Sequence, residues 1–235
     1  MGAWLWSQRL TPPSSGQPQA SFAVLRLPLM SNVRAHEHHM LAIHLRDISP
    51  AVVAAWQAVF ADAHAVEVSC GDIFQCTADA IVSPANSFGY MDGGIDLVYS
   101  RFFGWKLEAN LRELLVNQHY GELPVGQAVV LPTGHASIPL LVSAPTMRVP
   151  SSISRTVNVY LAFRAALIAV QRHNESSAQP IESLLVPGLG TGVGEVPPER
   201  AARQMRLAYN SIVLDEGRKE RNAGVIWGEH HELLN

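Results

Sequence analysis

The stretch Pro187-Gly188-Leu189-Gly190-Thr191-Gly192-Val193-Gly194 places glycine at every second position. It lies between a short apolar run, Leu184 to Val186, and an amphipathic segment that opens at Pro198. Glycine reaches positive φ without a Cβ clash, so this run reads as neither helix nor ordinary strand, and its N–H groups can crowd around one point. Such a backbone nest, with a helix N-terminus behind it, suits an anion, and diphosphate is the usual occupant. A tight turn alone would need only two of the glycines. The run lacks the Lys-Ser or Lys-Thr of a Walker loop. It also departs from the dinucleotide fingerprint, because Val193 stands where the third glycine belongs and the loop does not follow the first strand.

A second stretch runs Asp79-Ala80-Ile81-Val82-Ser83-Pro84-Ala85-Asn86-Ser87-Phe88-Gly89-Tyr90-Met91-Asp92-Gly93-Gly94-Ile95-Asp96. A strand leads into an Asn, then a glycine-containing loop, then a helix with Asp96 near its start. Each residue alone has an ordinary explanation. A carboxylate favours a helix N-terminus by about 0.3–1 kcal/mol, and Asn is a turn former. Together they put an amide, a glycine pair and a carboxylate at the C-terminal edge of a sheet, where open α/β sheets bind ligands.

The elements that must position these loops alternate. Strands are expected at Leu41–Leu45, Val66–Ser69, Ala80–Ser83, Ala128–Leu131, Leu140–Ala144 and Leu184–Val186. Helices are expected from Pro50 through Phe60, over Ile95–Gln118 with a break near Gly104, over Val157–His173, and from Pro198 to about Leu214. Pro50 suits a first helical turn, where its missing N–H costs nothing. Strands alternating with helices indicate an α/β sandwich with a mostly parallel or mixed sheet.

Composition bounds the rest. With 235 residues, 48% hydrophobic and 16% charged, the chain can bury a core without staples and is not disordered as a whole. Lys plus Arg is 17 against 20 for Asp plus Glu, a balance unsuited to holding nucleic acid by bulk charge. Two cysteines, Cys70 and Cys76, cannot build a disulfide framework or a four-thiolate zinc site, and read as buried structural thiols. No apolar run reaches the ~18 residues of a membrane span and no secretory signal is visible, so the expected compartment is the cytoplasm. Residues 1–39, with Thr11-Pro12-Pro13-Ser14-Ser15-Gly16, read as a flexible extension, and His36, His38 and His39 around Glu37 as a solvated cluster rather than a metal site. The domain is expected over 40–217, with a C-terminal tail at 218–235.

Taken together the motifs resemble the macro domain, the α/β/α module that binds ADP-ribose. The family runs Gly-Asp-Ile, Asp-Ala-Ile-Val-Asn-Ala-Ala-Asn, a glycine-rich loop ending Val-Asp, and a later Gly-Thr-Gly before a helix. This chain has Gly71-Asp72-Ile73, Asp79 through Asn86, Gly93-Gly94-Ile95-Asp96 and Gly190-Thr191-Gly192, in that order. The resemblance, over about residues 66–214, implies a three-layer α/β/α sandwich with a mixed, mostly parallel central sheet. It gives Asp72, expected to be buried, the adenine amino group as the donor that offsets its desolvation, with Ile73 beside it. Asn86 takes the distal ribose, and Gly93, Gly94 and Ile95 form the first loop around diphosphate and ribose. Gly190, Thr191, Gly192 and Val193 form the second phosphate loop, which Gly188 and Gly194 flank. In the hydrolytic branch an Asn and an Asp ten positions apart hold the distal ribose and its attacking water, and Asn86 and Asp96 keep that spacing. The implied ligand is ADP-ribose, free or on an ADP-ribosylated protein or metabolite, with no cofactor and no metal. A reader of ADP-ribose without catalysis, or an assembly module with a vestigial pocket, are the alternatives. The chain departs from the family at Ser83 and Pro84, which replace Asn and Ala. It departs again at Asp92, which replaces a glycine, and at Gly194, where many relatives carry an aromatic. Phe88 or Tyr90 could supply that aromatic, and Arg148 could reach phosphate.

Overall fold

The computed structural model describes residues 41–235. The extension at 1–39 and its histidine cluster lie outside the described residues. Six strands form one sheet: β1 (Ala42–Asp47), β2 (Val66–Cys70), β3 (Ala80–Ser83), β4 (Val129–Pro132), β5 (Leu140–Ser143) and β6 (Ser183–Val186), in the order β2-β1-β6-β3-β5-β4. All neighbours pair in parallel except β4, which runs antiparallel to β5. The sheet is therefore mixed and mostly parallel, as expected.

Alternation along the strands divides the core into two layers. Ile43, Leu45, Val82, Val142, Leu184 and Val186 face one side, with α1 (Pro50–Phe60), α4 (Asn158–Ser176) and α5 (Pro198–Ile212) packed on them. Ile81, Leu131, Leu141 and Leu185 face the other, under α2 (Gly94–Phe103) and α3 (Lys106–His119). Every residue of β3 is buried, because a central strand covered on both faces needs an unbroken apolar run and not an alternating one. The expected break in the long helix falls at Gly104, whose φ of +92° stops α2 before α3 begins.

At the N-terminal edge Asp79 has a structural task. Its Oδ2 accepts from the Glu182 and Ser183 amides and from the Ser183 hydroxyl, at 3.0, 2.8 and 2.7 Å. This clamps the start of β3 to the start of β6, the two strands that carry both glycine loops.

The segment 218–235 is not only a tail. It contains α6 (Ala223–Leu234), capped by Asn222, whose Oδ1 accepts from Val225 N at 3.0 Å. Leu233 alone in α6 is buried, so the helix has no apolar stripe by which a sequence pattern would reveal it. The fully buried Gln204 holds it from α5, donating to the carbonyls of Leu233 and Thr156 while accepting from Tyr160 N. Gln204→Leu leaves the buried Leu233 carbonyl and the half-buried Thr156 carbonyl and Tyr160 amide without this partner, a loss of about 2–4 kcal/mol. Chemical denaturation is expected to show it, together with faster hydrogen exchange across α6.

Candidate functional site

The C-terminal ends of the five parallel strands meet at one edge, and every sequence motif with chemical potential empties onto it. The loops after β3 and β6 are neighbours there, since those strands pair at Ala80–Leu184 and Ile81–Leu185.

The four glycines after β6 do different work. Only Gly190 uses the left-handed region, at φ +69°. A Cβ there would also lie 2.9 Å from Val159 Cγ2. Gly188 and Gly194 are needed for close approach: a Cβ would sit 2.7 Å from Asp47 Oδ2 at the first and 2.5 Å from Gly190 O at the second. Gly192 faces open space. The loop closes through its carbonyls, with Val196 N on Gly190 O, Glu195 N on Gly192 O and Ile153 N on Gly194 O, at 2.8–3.0 Å. That arrangement leaves the N–H groups from Gly190 through Gly194 without an acceptor among the described residues. Gly188 differs from the expectation of a ligand donor, since its N–H is given to Asp47 Oδ2 at 3.0 Å. Asp47 also accepts from Ser49 N at 2.8 Å, so one carboxylate ties the end of β1 to both α1 and the glycine loop.

The loop after β3 is shaped by Asn86. Its Oδ1 accepts from Phe88 N and Tyr90 N at 3.1 and 3.4 Å, and its Nδ2 donates to Tyr90 O at 2.8 Å. The amide thus folds the loop 86–90, while its backbone bridges to Met147 beyond β5. Phe88 and Tyr90 both serve as seats for arginine: Arg148 lies 5.0 Å from the Phe88 centroid and Arg112 4.2 Å from that of Tyr90. Arg148 is paired twice to Glu122, at 2.8 and 3.1 Å, which accounts for its guanidinium without a phosphate. Beyond the loop, Gly93 caps α2, and the amides of Gly94, Ile95 and Asp96 at the helix N-terminus have no acceptor among the described residues. A Cβ at Gly93 or Gly94 would meet nothing, so backbone is open to the edge there. Asp92 is exposed beside them.

Asp96 points inward and is 7% exposed. The Ser83 hydroxyl, at the end of β3, donates to its Oδ1 at 2.5 Å. Burial pushes the Asp96 carboxyl up to about 7, and the Ser83 hydrogen bond holds it from rising further. The serine that departs from the family motif therefore has a partner, which sequence reasoning did not supply.

Asp72 differs from expectation. It is exposed and not buried, and its Oδ1 accepts from Phe74 N at 3.0 Å, capping the 3-10 turn Ile73–Gln75. Ile73 beside it is buried. Arg46, which sequence reasoning passed over, braces this corner. It donates to Asp72 O, Ser69 Oγ and Gln75 Oε1 at 2.9, 2.9 and 3.1 Å. Arg46 and Asp47 share one signal, a polar pair ending an apolar strand at the edge where the other loops emerge. Cys70 is exposed rather than buried, and Cys76 is partly exposed.

The comparisons with known proteins agree with this architecture. The sequence model of the Macro domain matches residues 82–205, which span both loops, and the chain belongs to that family. An uncharacterized protein of Aquifex aeolicus is 37% identical over 140 residues, 60% of this chain and 78% of that protein. An O-acetyl-ADP-ribose deacetylase of Salmonella gallinarum is 30% identical over 139 residues, 58% of this chain and 73% of the enzyme. Among solved structures, the Oceanobacillus iheyensis macrodomain with ADP superposes with a TM-score of 0.53 at 21% identity, covering 62% of this chain and 75% of that one. The macrodomain of Mycobacterium tuberculosis DarG gives 0.51 at 22%, covering 61% and 88%. No helix among the described residues is long and apolar enough to cross a membrane.

The Asp96 shift has a consequence for stability. Its folded value near 7 lies above the unfolded carboxylate range, so between about pH 4 and 7 the native state keeps a proton that the unfolded chain has lost. Stability contributed by this group is complete at low pH and is lost as pH rises through 7, on the order of 4 kcal/mol in all. Asp96→Asn cannot ionise and keeps an oxygen for the Ser83 hydroxyl. Thermal unfolding is expected to show the variant melting above the parent at pH 8, with the gap narrowing below pH 7 and closing only near pH 4.

Proposed function

We propose that the cleft between the β3–α2 and β6–α5 loops binds ADP-ribose or a closely related nucleotide derivative, and that Asp96 serves hydrolysis of the C1″ linkage in ADP-ribosylated acidic-residue or acyl substrates. The observation that carries the binding half is the pair of unpartnered donor rows, Gly94–Asp96 at a helix N-terminus and Gly190–Gly194 in the glycine loop, on adjacent strands. Backbone N–H groups neutralise a diphosphate without Lys or Arg, which suits a chain whose lysines are only Lys106 and Lys219. Macro-domain membership and the similarity to an O-acetyl-ADP-ribose deacetylase support the same ligand class. Asp72 keeps one carboxylate oxygen beyond its cap contact for an adenine amino group.

For the hydrolytic half, a carboxylate titrating near neutral pH is matched to taking a proton from water as its oxygen attacks, with the acyl carboxylate leaving. Asn86 holds the loop that would frame the distal ribose, through its own turn contacts. A second reading, binding without turnover, is favoured by the inward aim of Asp96 and by its bond to Ser83.

Calorimetric titration with ADP-ribose, ADP and AMP tests the binding half. Micromolar affinity for ADP-ribose that falls by about tenfold or more for AMP is expected; no heat and no thermal shift at millimolar ligand would overturn it. Asp72→Ala is expected to weaken that affinity, and unchanged binding would remove the adenine assignment. Asp96→Asn is expected to keep the affinity while turnover of an O-acyl-ADP-ribose drops about a hundredfold or more. Unaltered turnover, or none in the parent chain, leaves the reader.

A further inference from the structure

Three polar side chains are buried together below the C-terminal edge of the sheet: Ser83 at 0%, Ser143 at 1% and Asp96 at 7% exposure. Ser83 ends β3 and Ser143 ends β5, and the two are register partners on parallel strands. Such partners sit about 4.7–4.9 Å apart and project to the same face. That face is the α2 side, because Ile81 and Leu141, two residues earlier on each strand, both belong to the layer under α2 and α3. Asp96 reaches it from the first turn of α2 and accepts from the Ser83 hydroxyl. No function assigned above uses Ser143.

The Ser143 Oγ is shut off from solvent and has no hydrogen-bond partner. Among the described residues two other buried side-chain polar atoms share that state, Arg200 Nε and Ser211 Oγ, and both belong to α5 on the opposite side of the sheet. A buried hydroxyl without a partner has given up its bonds to water for nothing, and alanine would fill the place without that loss. The acceptor that strand register brings beside it is Ser83 Oγ. The single proton of that hydroxyl goes to Asp96, and no residue uses its lone pairs.

The charge state of Asp96 decides whether that acceptor matters. Protonated, the carboxyl is neutral and one hydroxyl suffices. Ionised, it is a buried carboxylate with one donor and no cation, a costly state. The neighbouring polar groups supply no further donor. Tyr99, on the next turn of α2, gives its hydroxyl to Val82 O, and Ser100 gives its own to Met91 O. Glu108 of α3 accepts from Met91 N, and Asp47 at the end of β1 is itself an acid. We propose that Ser143 is a positioning residue for Asp96: when Asp96 gives its proton to solvent, the Ser143 hydroxyl turns onto Ser83 Oγ, and the chain Ser143–Ser83–Asp96 points its hydrogen bonds at the carboxylate. Aligned hydroxyls in a low-dielectric layer strengthen one another. In the hydrolytic reading of Asp96, on which this consequence alone rests, the serine pair sets the pH at which the carboxylate can take a proton from water.

The test is read first on the full chain without ligand, by following its ¹³C-labelled Asp carboxyl resonances as pH is raised. The Asp96 signal is assigned by its loss in Asp96→Asn. Ser143→Ala is expected to raise the Asp96 midpoint by about half a pH unit or more, and Ser83→Ala, which removes the direct donor, to raise it further. Thermal unfolding separates a hydroxyl that serves the carboxylate from an idle one. Ser143→Ala is expected to melt above the parent at pH 5, where Asp96 is protonated and the hydroxyl is unpaired, and to lose part of that advantage at pH 9. An Asp96 midpoint unmoved by Ser143→Ala, or a melting advantage equal at the two pH values, overturns the proposal. Turnover of an O-acyl-ADP-ribose is a separate arm, whose rising pH limb is expected to move upward with the midpoint in Ser143→Ala. A parent chain without turnover removes the hydrolytic reading and leaves the ligand-free titration to decide the role of Ser143.

Discussion

The constraint on which the site depends is that backbone donors must stay unpaired in a fold that otherwise pairs nearly all of them. The glycine loop meets it by closing through its carbonyls, that of Gly194 accepting from Ile153 N, and by giving Gly188 N to Asp47. With the carbonyls of Gly190, Gly192 and Gly194 all engaged, the loop is held without consuming the N–H groups between them. A helix N-terminus supplies the second unpaired row because its first amides have no carbonyl one turn back.

The two rows face one edge because of events at the other. Asp79 clamps β3 to β6 at their starts, and the shared core residues Ile81, Leu184 and Leu185 hold them in register. An error there would displace both loops together. Buried side chains such as Leu189 and Tyr99 carry the same logic upward: Leu189 pins the glycine loop into one core layer, and Tyr99 donates to Val82 O under α2.

Two aspartates at this edge are given different tasks by their surroundings. Asp47 faces two amide donors and acts as a structural anchor. Asp96 faces one hydroxyl in an apolar layer, and the cost of desolvation outweighs that single bond, so its proton is held to near neutral pH. The same carboxylate is thereby a cost to stability at high pH and a candidate for proton transfer.

Periodicity alone located the strands and five helices, because buried central strands and amphipathic helices write their burial into residue order. The glycine spacing and the Asn86–Asp96 interval likewise announced two loops at one sheet edge. What only the tertiary structure decided are contacts between residues far apart in the chain: Asp47 with Gly188, Ser83 with Asp96, Arg46 with the Asp72 corner, and Gln204 with α6. Asp72 was expected buried and is exposed, since a carboxylate that caps a short turn stays at the surface. Helix α6 was invisible for a related reason: one buried leucine and a partner on another helix leave no period to read. Local order sets which segments form and which face they bury. Which polar atoms are satisfied and which are left for a ligand depends on where distant strands end beside one another.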